Sequence, residues 1–331
     1  MKRVFVTGGG GFLGRGVVRR LAGETAQVEH VVSGDLREMP PDQRLPGVAY
    51  VVCDVRSSDF AALFAGHRID TVVHLAAIVT PGGESNREFE YAVDVAGTER
   101  VLRACIESGV SRIVVSSSGA AYGYHADNPA WISEDQPLRG NEVFAYSHHK
   151  RLVEELLARY RLTRPQLQQV VFRIGTILGA NVDNQITALF ERPRILAIRG
   201  ADSPFVFVWD EDVADCMLRA VLGTRTGIFN VAGDGALTIR EIAAMLGKPA
   251  LVLPAALLRI ALAVGRMLGV TRYGPEQLDF LRYRPVLDNA RLKAEFGYTP
   301  RMTSRQAFEA FIAARGWRRR AANAPVDTGQ D

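Results

Sequence analysis

The chain has 331 residues, 47% hydrophobic and 23% charged, with a net charge of +4. That is the composition of an ordinary globular protein with ample core, not of a disordered chain, and the length allows one large domain or two modest ones. The basic excess is local. "RGWRRR" (Arg315 to Arg320) precedes a polar end without aromatic interleaving, so 317–331 is expected to be a disordered tail and no nucleic-acid partner is expected.

Cys53, Cys105 and Cys216 are scattered and odd in number. They form neither a disulfide framework nor a metal-ligand spacing, so reduced thiols, a cytoplasmic location and no metal are expected. Lys2-Arg3 runs straight into a strand, which leaves no cleavable apolar segment.

In chain order, "RVFVT" (Arg3 to Thr7) reads as a strand, followed by a glycine run and the helical pattern "FLGRGVVRRLAG". "VEHVV" (Val28 to Val32) and "VAYVVCDV" (Val48 to Val55) are further strands, then come a short helix "SDFAALFAG" and the strand "TVVHLAAIV" (Thr71 to Val79). A long helix is predicted from about Phe89 to Ser108, ended by Gly109. After it come "RIVVSSS" (Arg112 to Ser118), a helix from about Ala145 to Tyr160, and "QVVFRIGTI" (Gln169 to Ile177). Continuous apolar strands alternating with helices predict an α/β fold: a doubly wound parallel (Rossmann) sheet, with ligands beyond the carboxyl ends of the strands.

After Gly175 the alternation weakens. "FVFVWDEDVADCMLRAVLG" reads as strand then helix, and "GIFNVAG" as a strand. Thr238 is the expected cap of "TIREIAAMLG", and Asp288 of "LDNARLKAEFGYTP". "PAALLRIALAVGRMLGV" (Pro254 to Val270) contains Arg259 and Arg266 and falls short of the roughly 20 residues of a membrane span. It is expected to be a helix packed over a core or pocket, with no membrane partner. The expected division is a dinucleotide-binding domain over 1–175, to which 204–235 returns, and a smaller C-terminal substrate-binding lobe over 176–203 and 236–316.

Gly8, Gly11 and Gly14 keep a G-x-x-G-x-x-G spacing between strand and helix. Such glycines allow a tight turn, close approach of a pyrophosphate, and close helix–sheet packing, with the phosphate at the helix N-terminus. Asp35, 21 residues past Gly14, stands where a carboxylate would accept bonds from ribose hydroxyls. Arg37 could instead meet a 2′-phosphate, so NAD is the preferred cofactor and NADP a possible one. Asp54 either contacts the adenine edge or caps the next helix.

In "YSHHK", Tyr146 and Lys150 lie one helical turn apart on one face. A phenol beside an ammonium can take a proton from an alcohol and return it in the reverse direction. "SSSGAAYG" (Ser116 to Gly123) ends the preceding strand, and Ser118 could hydrogen-bond the reacting oxygen; Ser116 and Ser117 read as strand-end structure.

With these motifs, and with "CDV", "HLAA", "DVAGT", "FRIGTILGA", "FVWDEDVA" and "FGYTP" in order, the chain resembles the extended short-chain dehydrogenase/reductase family, the NAD-dependent epimerase/dehydratase group. The resemblance runs to about Ala314. It implies a catalytic trio of Ser118, Tyr146 and Lys150, with Lys150 also holding the nicotinamide ribose. It implies cofactor contacts from Gly8, Gly11, Phe12, Leu13, Gly14, Asp35, Asp54, Val55, Leu75 and Ala76, and a homodimer through the helices near 89–108 and 145–160.

Departures from the family pattern narrow the reaction. Gly119-Ala120 replace the Asp-Glu pair of the dehydratases, which argues against elimination. Thr176 stands where nucleotide-sugar epimerases carry an asparagine, Asp94 replaces another asparagine, and Trp209 a histidine. The expected function is NAD(P)-dependent hydride transfer between nicotinamide and a secondary alcohol or ketone of a small molecule, as dehydrogenase or epimerase. The alternatives are a nucleotide-sugar 4-epimerase and a non-catalytic redox sensor.

Other residues receive plainer readings. His148 and His149 are expected on the exposed surface, His74 in a structural role, and His67 and His125 lack metal-ligand companions. Trp131 and Trp317 are expected in packing, while Arg139 and Asn141, in the loop before the catalytic helix, could touch substrate.

Overall fold

The computed structural model describes residues 1–79, 86–269, 274–275 and 277–317. The segment 318–331, most of the expected tail, lies outside the described residues.

The first half folds as its pattern predicts. It runs β1 (Lys2–Thr7), α1 (Phe12–Gly23), β2 (Val28–Asp35), β3 (Val48–Val52), α2 (Phe60–Gly66) and β4 (Thr71–His74). Then come α3 (Arg87–Tyr91), α4 (Gly97–Glu107), β5 (Arg112–Ser118), α5 (Ala145–Thr163) and β6 (Gln168–Ile174). Beyond them follow β7 (Thr176–Leu178), α6 (Thr187–Glu191), β8 (Ile195–Ile198), β9 (Phe207–Trp209), α7 (Asp210–Leu222) and β10 (Gly227–Val231). The chain continues through α8 (Ile239–Met245), β11 (Ala250–Leu253), α9 (Ala255–Met267), α10 (Gln277–Arg282) and α11 (Ser304–Ala314).

Seven parallel strands form one sheet in the order β10-β6-β5-β4-β1-β2-β3. The order reverses between β1 and β4, so a crevice opens beyond their carboxyl ends. Side chains alternate across the sheet. Val4 and Val6 enter a core shared with α1 and α7, whereas Phe5 enters one shared with α2, α4 and α5. The doubly wound expectation is borne out.

The predicted strand Gln169–Ile177 divides at Gly175. Its N–H donates to Val231 O (2.9 Å), the next N–H donates to Val206 O (3.1 Å), and β7 leaves the large sheet to pair with β9. A third core gathers there around Phe190, Phe205, Phe207, Phe308 and Phe311. Thr238 and Thr303 close the N-termini of α8 and α11 with capping boxes.

Two elements differ from expectation. The helix predicted from Phe89 is broken by a π-helical turn, Ala92–Ala96, between α3 and α4, and this wide turn carries Asp94. The helix α9 forms, but no residue of it is buried; Leu257 is 53% exposed and Ile260 62%. Only a stripe through Ala255, Leu258, Leu262 and Gly265 is half-covered; the opposite face is exposed. No described helix is long and apolar enough to cross a membrane.

Candidate active site

Main-chain geometry at the first loop follows from its glycines. Gly8 has φ +69°, and a Cβ there would lie 2.8 Å from the Ala76 nitrogen. A Cβ on Gly14 would lie 2.1 Å from the Gly8 carbonyl oxygen. Only bare backbone fits at either position. Gly11 caps α1 with no side-chain hydrogen bond, so the first amides of this 12-residue helix stay open to an anion. This cradle fits a dinucleotide.

Asp35 ends β2, and its carboxylate accepts the Gly10 N–H (2.9 Å) and the Arg37 N–H (3.3 Å). Asp54 is held below the ordinary carboxylate range by hydrogen bonds from Arg56, the shortest 2.6 Å. Burial, then Asp35 and Asp54, pushes the Cys53 thiol up to about 11. Val55 is buried against Gly97, and the Ala76 N–H donates to Thr7 Oγ1 (3.3 Å).

Thr7 and His74 are register partners at the ends of β1 and β4. The Thr98 hydroxyl donates to Asp94 O (2.5 Å), so it must accept from His74 Nε2 (3.0 Å). His74 Nδ1 then accepts from Thr7 Oγ1 (2.7 Å), whose lone pairs receive the Leu75 and Ala76 N–H groups. His74 is fully buried; burial and, secondarily, Lys150 bring its pKa down to about 3. It is a neutral strut that fixes the loop after β4.

A cleft of about 770 Å³ opens over these strand ends. Its wall includes Gly8, Gly11, Phe12, Leu13 and Gly14 of the glycine loop, Leu75 after β4, Ser118 after β5, and Tyr146 and Lys150 of α5. Asp35, Asp54, Val55 and Ala76 stand outside that wall. The Lys150 amine donates to Ser116 O (2.9 Å) and lies 5.7 Å from the Tyr146 ring centroid. Ser118 Oγ accepts the Ala120 N–H (3.2 Å), and its own hydrogen has no acceptor among the described residues. Ser147 Oγ ties this assembly together, donating to Ala120 O (2.6 Å) and accepting the Asn141 N–H (3.0 Å).

Behind β5, the Glu154 carboxylate receives Arg173 (2.7 Å) and the Ser117 hydroxyl, all buried. Arg173 also donates to Tyr122 OH (2.8 Å) and Glu134 O (2.9 Å). Burial pushes the Tyr122 phenol up to about 12, against the pull of Arg173.

Several sequence readings need correction. His149 is buried, 1% exposed, with Nδ1 3.2 Å from Asp94 Oδ2. It shares a helical face with Val153, Leu156 and Leu157, a periodicity legible in the sequence. Trp131 is 48% exposed and packs in no core. Arg139 pairs with Asp127 (2.7 Å), and Asn141 accepts the Tyr124 N–H (2.7 Å); neither lines the cleft. Sequence reasoning missed Arg284, which lines the cleft between the rings of Phe205 and Phe280. No motif marks it. The three cysteines are buried free thiols, and the described residues include no metal-ligating cluster.

The glycine cradle and the Ser118–Tyr146–Lys150 wall are the features on which comparison turns, and the profile of the NAD dependent epimerase/dehydratase family matches residues 4–232. The chain belongs to that family. The family's extended short-chain dehydrogenase/reductase character bears out the resemblance read from the motifs, and members are NAD-dependent enzymes. The chain is 25% identical over 318 residues to the uncharacterized protein Rv0501 of Mycobacterium tuberculosis, covering 95% of this chain and 84% of that one. It is similar to the Thermus thermophilus UDP-glucose 4-epimerase solved with NAD (25% identity, TM-score 0.71, 95% and 99% coverage). MoeE5, solved with UDP-glucuronic acid and NAD, shares the fold at 21% identity and TM-score 0.72, with 95% and 99% coverage.

Proposed function

We propose that this family member is an NAD-dependent oxidoreductase acting on a secondary alcohol or its ketone in a small molecule. The observation that carries this reading is the single cleft lined by the glycine cradle and by Ser118, Tyr146 and Lys150. Bound on the cradle, NAD would supply the hydride acceptor for the carbinol carbon.

The chain's own groups handle the oxygen and its proton. Ser118 donates its free hydrogen to the substrate oxygen and orients it. Tyr146 takes the hydroxyl proton during oxidation and returns it during reduction. Lys150, fixed by Ser116 O, adds positive charge beside the reacting oxygen and is available to the nicotinamide ribose. If the ketone stays bound and is reduced on its other face, the net reaction is epimerisation; if it leaves, the enzyme is a dehydrogenase. The nucleotide-sugar 4-epimerase reading draws on the UDP-glucose epimerase neighbour, but Thr176 and the apolar cleft wall favour another substrate. A homodimer through α4 and α5 in a reducing cytoplasm goes with this reading, and light scattering tests the dimer.

The test is Tyr146→Phe. It should bind NAD as the parent does, while NADH formation across a panel of secondary alcohols falls by about 10² to 10⁴. Undiminished turnover overturns the assignment.

A further inference from the structure

Arg284 holds a positive charge that no described residue neutralises. It follows α10, is 9% exposed, and lines the cleft that holds Tyr146. Its guanidinium carbon lies 4.0 Å from the Phe205 ring centroid and 4.1 Å from that of Phe280, so both faces of the group are covered. Its Nε and Nη2 atoms are buried without a hydrogen-bond partner. Those two nitrogens share one edge of the guanidinium, and their parallel N–H bonds form a side-on fork.

A buried cation without a counter-charge is destabilising, and two ring contacts offset only part of that cost. Burial lowers the Arg284 pKa to about 10, with Tyr124 opposing, so the charge persists at neutral pH. Folding alone gives no reason to keep an unpartnered fork there. A ligand with two parallel acceptor oxygens does.

The rest of the wall selects the ligand. The Tyr124 ring meets Phe280 at 5.1 Å and Phe144 at 5.6 Å, which gives the cleft an aromatic lining around Arg284. The other described cations in the wall are Arg37, beside Asp35, and Lys150, whose amine is held at Ser116 O. A diphosphate carries more than one negative charge and would bring them to a lone cation. A monoanionic carboxylate on an apolar body matches both the fork and the lining.

We infer that the substrate is a secondary alcohol or ketone bearing a carboxylate on an apolar skeleton, with the carboxylate pairing with the unpartnered edge of Arg284. This rests on the proposed function, which makes the cleft the active site.

The test uses the full chain loaded with NAD, with binding followed by calorimetry and thermal shift. The probes are a series from phenylacetate to phenylvalerate, their neutral amides, inorganic phosphate and uridine 5′-diphosphate. At least one carboxylate should bind at least tenfold more tightly than its amide. Arg284→Met should weaken that binding at least tenfold while leaving NAD affinity and melting temperature unreduced, because an apolar chain replaces an unpaired charge. Arg284→Lys should fall between, keeping the charge and losing the fork. Three results would overturn the inference: no carboxylate preferred over its amide, uridine 5′-diphosphate as the arginine-dependent probe, or a melting temperature lowered in both variants. Failure of the oxidoreductase reading is separate, since it shows as absent NAD binding or a Tyr146→Phe variant with full turnover.

Discussion

His149 Nδ1 faces Asp94 Oδ2 across 3.2 Å, with both side chains almost fully buried. The other Asp94 oxygen accepts the Ile78 N–H (2.8 Å) in the loop after β4. Since a carboxylate only accepts, the ring proton sits on Nδ1. Asp94 thus joins α5 to a segment of the cleft wall. Asp94→Ala would orphan the buried His149 Nδ1–H and the half-buried Ile78 N–H, so urea unfolding should show a loss of about 2–4 kcal/mol. A loss below about 0.5 kcal/mol would mean that water replaces the carboxylate at no cost.

The sheet was legible because its strands are continuous apolar runs alternating with helices, the pattern of a parallel sheet covered on both faces. Ser118, Tyr146 and Lys150 were legible because a strand end and one helical turn suffice to bring them together. His149 was expected on the surface although Val153, Leu156 and Leu157 mark its buried face; the partner that lets it be buried, Asp94, comes from a distant segment. Arg284 left no local trace: its rings come from Phe205, in a distant segment, and from Phe280 in α10. The bare face of α9 was missed because amphipathic spacing reports that a face is apolar, not that anything covers it.

His74 makes stability depend on pH. Its folded pKa of about 3 lies below the unfolded 6.5. Its contribution is therefore fully present above pH 6.5 and is lost as pH falls toward 3, where only the unfolded chain binds the proton. The slope is about 1.4 kcal/mol per pH unit in that window. Unfolding free energies from urea titrations of the parent and of His74→Gln should diverge by that slope between about pH 6.5 and about pH 4. Parallel lines would mean that the imidazole is charged in the folded protein.

Gly14 is predicted to be intolerant of one methyl group. The group it would strike, 2.1 Å away, is the Gly8 carbonyl, a backbone atom that moves only with the whole turn. Gly14→Ala should weaken NAD binding at least about tenfold, about 1.4 kcal/mol, as read by fluorescence titration. Gly8→Ala adds the cost of a left-handed alanine, about 1–2 kcal/mol. Unchanged NAD affinity in both variants would place the dinucleotide elsewhere.

Arg173 and Glu154 are a buried pair whose value depends on both members. Each is about 3–4% exposed, and burial of Arg173, which alone would lower its pKa, is outweighed by Glu154. Removing one charge leaves the other desolvated, so Arg173→Met alone should cost about 3–5 kcal/mol. Glu154→Leu alone should cost a similar amount, since Arg173 would keep only Tyr122 OH and Glu134 O. The double variant should recover part of the loss, because two apolar side chains can fill the same volume with no stranded charge. Additive losses in that cycle would show that the ion pair itself contributes nothing and that Arg173 acts only through its bonds to Tyr122 and Glu134.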